Sequence, residues 1–385
     1  MSKKGYTYLG YLTSTHFIIH VYTMLLPVLL IPLQEELGVS LVQLSLLASI
    51  PRLVTMFIYI PTGLVSDKHP AMVLTGSFIV TTMGAIVIPL SGSFNMLLLG
   101  FTLIGIGSTL YHPPSLRMAS EFDAERLTLA MGLHNVGSSL GFAAGPLLLG
   151  YMLERQGWRY SFWVWAVFTA LMGVLSWNYT RKHLRGSETA REINIFSNLR
   201  SILTREFILV VAMSTLVEGI FNILVTYVPA YFTTDLGMSY SLTSIITGIG
   251  PLTGLVGSFA GGLSGDRFGK YKTSMLVLGI TGLLMIIFPS LSVLYIVVIV
   301  YGLSRMFQAS FMPLMNGMLA ANCNAENRSL GFSFNFVMVS LFGSLSITGT
   351  SILIEKIGTG VIFPISVILT VPTIFIIYLL RNIGK

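Results

Sequence analysis

Gly261-Gly262-Leu263-Ser264-Gly265-Asp266-Arg267-Phe268-Gly269-Lys270-Tyr271-Lys272 separates two long apolar runs, and its reading decides the fold. So short a polar stretch between such runs has to be a turn between two membrane helices. Small residues ahead of the turn let the helices approach closely. Asp266 then stands near a helix end, with Arg267, Lys270 and Lys272 just beyond it, where the charges reach water or one another. A weaker copy, Gly63-Leu64-Val65-Ser66-Asp67-Lys68-His69, stands in the first half. The offset that carries Asp67 onto Asp266 also carries Gly38 onto Gly237, and it lays residues 36–40 over 235–239. Two halves share one plan.

Of the 385 residues, 54% are hydrophobic and only 10% charged, where a soluble domain carries about 25% charge. This is the composition of a polytopic membrane protein. A hydrocarbon core of about 30 Å is crossed by about 20 apolar residues in a helix. Twelve runs meet that requirement, at 7–32, 41–66, 72–91, 94–118, 127–152, 158–180, 207–234, 241–265, 273–290, 293–320, 328–353 and 359–381. The runs are continuous rather than alternating, which excludes a β-barrel. The expected fold is therefore all-α, with twelve transmembrane helices in two pseudo-symmetric six-helix bundles. The bundles cover 1–180 and 207–385, joined by a polar cytoplasmic linker at 181–206.

Orientation follows from the basic residues. With the N-terminus in the cytoplasm, the inner loops hold Lys3, Lys4, Lys68, Arg117, Arg126, most of the linker bases, Arg267, Lys270, Lys272, Arg328, Arg381 and Lys385. The outer loops hold only Arg155, Arg159 and Lys356. By the positive-inside rule both termini are cytoplasmic, in a plasma or inner membrane. The net charge of +7 is thus a topology signal and not a nucleic-acid footprint. The single Cys323 excludes a disulfide framework and a cysteine-rich metal site. The first run is read as a retained helix rather than a cleaved signal. No phosphate loop, zinc-protease or serine-hydrolase motif is present, so neither an enzyme nor an ATP-driven pump is expected. No cofactor and no metal are expected, and a proton gradient is the natural energy source. The partners are the lipid bilayer and a small-molecule substrate, with the chain acting as a monomer.

An ionisable side chain at mid-membrane costs about 2.5–3.5 kcal/mol, so several of them imply a polar cavity. The candidates for substrate binding or proton coupling are His16, His20, Arg52, His112, His134, Glu218, Asn222 and Arg305. His16 and His20 are four apart and share a helix face, as do Glu218 and Asn222. Each has a plainer role open to it. The histidines could simply tie helices together, and Glu218 could pair permanently with an arginine. Arg305 suits an anionic group on a ligand. His112 precedes Pro113-Pro114, which should interrupt or bend its helix. The fifth run spaces Gly137, Gly141 and Gly145 four apart, with Pro146 following, and forms a smooth groove for close packing.

The turn around Asp266 closely resembles the loop between the second and third helices of the major facilitator superfamily. The second copy is nearly complete in Gly262, Asp266, Arg267, Gly269 and Lys270. The first keeps Gly63, Asp67 and Lys68 but loses the glycine after the turn. The resemblance implies alternating access, with these turns gating the cytoplasmic side, and places the first, fourth, seventh and tenth helices around the cavity. Gly137, Gly141, Gly145 and Pro146 resemble the antiporter motif of superfamily exporters. His112, Pro113, Ser115 and Arg117, with His16 ahead of Leu26-Pro27, resemble the fosmidomycin-resistance branch. That branch carries an aspartate where His20 stands and an acidic residue where Pro114 stands.

The first functional reading is a proton-coupled exporter of a small organic compound. A second is a proton-coupled importer of an organic anion held by Arg305 or Arg52. A third, of another class, is a receptor or lipid-handling protein on a transporter scaffold.

Overall fold

A backbone in lipid has no partner but itself, so a spanning segment closes its hydrogen bonds within a helix. The computed structural model describes residues 3–121, 127–183, 203–322 and 328–383, and among them there is no strand. The helices are α1 (Lys3–His20), α2 (Leu25–Leu37), α3 (Leu41–Lys68), α4 (Pro70–Val87), α5 (Phe94–Glu121), α6 (Leu127–Leu153), α7 (Trp158–His183), α8 (Arg205–Thr234), α9 (Tyr240–Phe268), α10 (Lys270–Ile287), α11 (Leu294–Ala321), α12 (Arg328–Ile357) and α13 (Ile362–Ile383). They supply 12 segments long and apolar enough to cross a membrane, α1 and α2 together making the first. Cys323, residues 123–126 and 324–327, and linker residues 184–202 lie outside the described residues, as does the side chain of Asp67.

The first span departs from the expected single helix ending at Pro27 and Pro32. It breaks between His20 and Leu25, where Thr23 N–H bonds to the His20 carbonyl at 3.2 Å and Leu25 N–H to Tyr22 at 3.2 Å. Pro27 lacks the N–H that would bond one turn back, so the break falls ahead of it. Pro27 itself sits in the first turn of α2, where the missing donor is harmless. The helix then runs through Pro32 to Leu37 and is capped by Gly38 at φ +61°. Gly237, two residues past the Asp235 cap of α8, takes the same φ of +61°. Ser40 caps α3 through a reciprocal bond with Gln43, and Ser239 accepts from Leu242 N–H at 3.2 Å. The repeat seen in the sequence is thus a repeat of backbone caps.

Pro113-Pro114 does not interrupt α5, which is helical from Phe94 to Glu121. The prolines free the carbonyls one turn earlier, at Thr109 and Leu110, and membrane helices tolerate such freed groups where neighbouring helices hold the chain. Pro146 likewise sits inside a continuous α6.

Packing divides the chain into two units. One comprises Met1–Arg191 and Ser239–Gly248, the other Glu192–Met238 and Ile249–Lys385. In the first, Gly137, Gly141 and Gly145 of α6 lie directly on the backbone carbonyls of Thr13, Phe17 and Val21, with no room for a Cβ. In the second, Gly257 and Gly261 of α9 do the same against the Met306 and Ser310 carbonyls of α11, and Gly265 meets the Leu314 side chain. Glu36, in the last turn of α2, is held by α7: Arg159 Nη2 donates to its carboxylate at 2.5 Å and Trp158 Nε1 at 2.8 Å.

Candidate functional site

The glycine stripe of α6 presses that helix onto α1 so closely that His134, one turn ahead of Gly137, stacks flat on His16. Their ring centroids are 3.7 Å apart and the planes differ by 11°. His16 is buried, and its Nδ1 lies 2.6 Å from the His134 carbonyl. A carbonyl only accepts, so Nδ1 of His16 carries the proton and its Nε2 offers a lone pair when the ring is neutral. His20 Nε2 lies 3.0 Å from that Nε2, and His20 Nδ1 lies 3.3 Å from the Thr23 hydroxyl. With His16 Nε2 accepting, His20 Nε2 is the donor and its Nδ1 accepts from Thr23. The helix break after His20 is what places Thr23 within reach.

His112 of α5 closes the group, with its ring 5.6 Å from His16 and 5.3 Å from His20. Beside it Tyr111, fully buried, stacks on His16 at 5.5 Å. The Thr15 hydroxyl donates to the Leu12 carbonyl at 3.0 Å, so it accepts from the Tyr111 hydroxyl at 2.9 Å. Four histidines, drawn from three helices, thus form one cluster. His134 is buried, and its ring nitrogens make no hydrogen bond of standard geometry among the described residues. Sequence pattern alone does not single out Tyr111 and Thr15. Their only signal was adjacency to the histidines, because hydroxyls in apolar runs are common.

The second unit holds a separate polar site. Arg305 of α11 donates from Nη1 to Gln308 Oε1 at 2.7 Å, while its Nε is buried with no hydrogen-bond partner among the described residues. The guanidinium borders a void of about 10 Å³, lined also by Tyr301, Ser304, Leu224 and Phe363; that is room for about one water. Phe288 stacks on Phe363 at 5.0 Å and Phe232 meets Tyr301 edge-on at 5.4 Å, so the arginine lies beside an aromatic wall. On α8, Asn222 is buried with its amide nitrogen unpartnered among the described residues, and Glu218 is partly buried one turn before it. Arg52 of α3 is partly buried.

Counted from the first residues of their helices, Leu127 and Arg328, Asn335 corresponds to His134 and not to the adjacent Asn135. Asn335 is buried and accepts from the Ser214 hydroxyl of α8, whereas Asn135 is exposed. His134 is the residue that occupies the matching place, turned from α6 onto α1. At the gating turns, Asp266 and Arg267 are exposed, Lys270 Nζ reaches the Gly317 carbonyl at 3.2 Å, and Gly269 takes φ +90°. The first copy has His69 at φ −131° in that place, so it needs no glycine. Gly63 and Gly262 face open space, and Lys68 is exposed.

The family model of the Major Facilitator Superfamily matches residues 12–304 and 232–384. The chain belongs to the major facilitator superfamily. Among curated relatives of this transporter, the fosmidomycin resistance protein of Escherichia coli is 24% identical over 72% of this chain and 70% of its own length. The probable nitrate/nitrite antiporter of Thermus thermophilus is 26% identical over 67% of this chain and 61% of its own. Among solved structures, a bacterial homolog of the human lysosomal transporter Spinster, inward-facing and occupied, superposes with TM-score 0.80 at 17% identity, covering 99% of this chain and 98% of that one. A POT family transporter in complex with 5-aminolevulinic acid gives 0.78 at 14% identity, covering 97% of this chain and 95% of that one. The superfamily transporter's fold and its weaker similarity to the fosmidomycin branch both stand. The membership points to secondary transport rather than catalysis.

Proposed function

We propose that this chain is a proton-coupled exporter of a small organic anion, working by alternating access in the cell membrane with both termini cytoplasmic. The observation that carries the anion is Arg305. Its buried Nε has no hydrogen-bond partner among the described residues. An arginine fork with one prong engaged and another unused beside an aromatic wall is suited to a carboxylate or phosphonate group. The relatives are in keeping with this, since one is named for nitrate and nitrite and another for cis,cis-muconate. Export is supported by the relatives named for resistance and antiport and by the glycine stripe of α6, which resembles the antiporter motif. Glu218 lies well inside α8, away from its ends, and is assigned the coupling proton. Asp67 and Lys68, and Asp266 and Arg267, would stabilise one of the end states of the alternating-access cycle.

Import of an organic anion keeps the same Arg305 contact and reverses the flux. Proteoliposomes with an imposed pH gradient decide both points. A panel of labelled small anions should yield one that moves against its gradient at the expense of the proton gradient, and Arg305→Gln should slow that movement at least 10-fold at sub-saturating substrate. Import in place of export under an inward proton gradient would reverse the assigned direction. Full transport of every translocated compound by Arg305→Gln would remove the anion reading.

A further inference from the structure

We infer that the histidine cluster of the first unit is a binding site for a divalent late transition-metal ion of the zinc class, held by His16, His20 and His112. One ligand nitrogen from each of the three lies within 4.8 Å of the others. The His16 and His20 Nε2 atoms are already 3.0 Å apart. Two nitrogens bound to one tetrahedral zinc at about 2.0–2.1 Å stand about 3.3 Å from each other, so this pair needs almost no rearrangement.

The tautomers also suit a metal. His16 donates Nδ1–H to a backbone carbonyl, which leaves its Nε2 unprotonated and aimed into the cluster. Metal-bound histidines are oriented in this way by the hydrogen bond of the other ring nitrogen. His20 reaches the same state when its proton moves from Nε2 to Nδ1, where the Thr23 hydroxyl accepts instead of donating. His112 is partly exposed, so a rotation of its side chain can bring in the third nitrogen. Stacking of His134 and Tyr111 on His16 holds that ring in place. Imidazoles alone, with no thiolate or carboxylate among them, favour zinc, copper, nickel or cobalt over magnesium or calcium. Three protein ligands leave a fourth position for water or an anion.

The test uses the untagged full-length protein in nanodiscs, with Zn²⁺ titrated against a chromophoric chelator. One equivalent per chain is expected. Affinity should fall at least 10-fold in His16→Ala and in His20→Asn, and should stay unchanged when His69 and His183 are both replaced by Ala. X-ray absorption at the zinc edge of the wild-type complex supplies a readout that needs no variant, and imidazole scattering from about three nitrogens is expected. No saturable site, full affinity in the His16→Ala/His20→Asn double variant, or an oxygen-only zinc shell would each overturn the assignment. None of these outcomes bears on Arg305 or on the direction of transport.

Discussion

A guanidinium held inside a spanning helix is costly unless each of its donors is used. Arg305 uses Gln308 and leaves Nε unpartnered among the described residues. A charge-assisted bond from that group to a substrate anion is worth about 1.5–3 kcal/mol, which is about 10- to 150-fold in affinity. Arg305→Gln should therefore raise the half-saturating substrate concentration by at least 10-fold, as measured in exchange flux, while the thermal midpoint stays the same or rises. Glu218 invites a different experiment. Glu218→Gln keeps the shape and hydrogen-bonding capacity but cannot carry a proton. Exchange of substrate across the membrane should survive in that variant, and accumulation driven by a pH gradient should vanish. Uphill transport at the wild-type rate by the glutamine variant would take the coupling role away from Glu218.

At the level of elements, the glycines sort by what faces them. A Cβ at Gly145 would collide with the Val21 carbonyl, and one at Gly141 with Phe17. Both neighbours are backbone and cannot swing aside. Gly145→Ala should cost about 1–3 kcal/mol of stability and also disturb the histidine cluster, because the α1–α6 contact sets the His16–His134 stack. Gly262 faces open space, so Gly262→Ala should be neutral or stabilising by up to about 1 kcal/mol through helix propensity. Melting curves of the two variants side by side test the contrast. The prolines teach the same lesson: Pro27 follows a break and sits in the first turn of a new helix, whereas Pro113, Pro114 and Pro146 lie inside unbroken ones. Which outcome prevails depends on whether neighbouring helices hold the chain straight, and local sequence does not say.

At the scale of the whole molecule, the duplicated turn is expected to bias the transport cycle. Asp266→Asn should raise the fraction of molecules open toward the cytoplasm, read as longer distances between spin labels on the cytoplasmic ends of the helices; an unchanged distribution would remove the gating role. The number of spans, the duplication, the family and the all-helical class were legible in the chain alone. Apolar run length and the recurrence of Gly38 with Gly237 and Asp67 with Asp266 are local properties that lipid turns directly into helices and turns. The gathering of His16, His20, His112 and His134, the unused Nε of Arg305, and the match of His134 rather than Asn135 with Asn335 were not legible. Each depends on how far one helix is rotated against another. That rotation is set by packing between helices, as where Gly137, Gly141 and Gly145 meet carbonyls of α1 more than a hundred residues earlier, which hydropathy does not record.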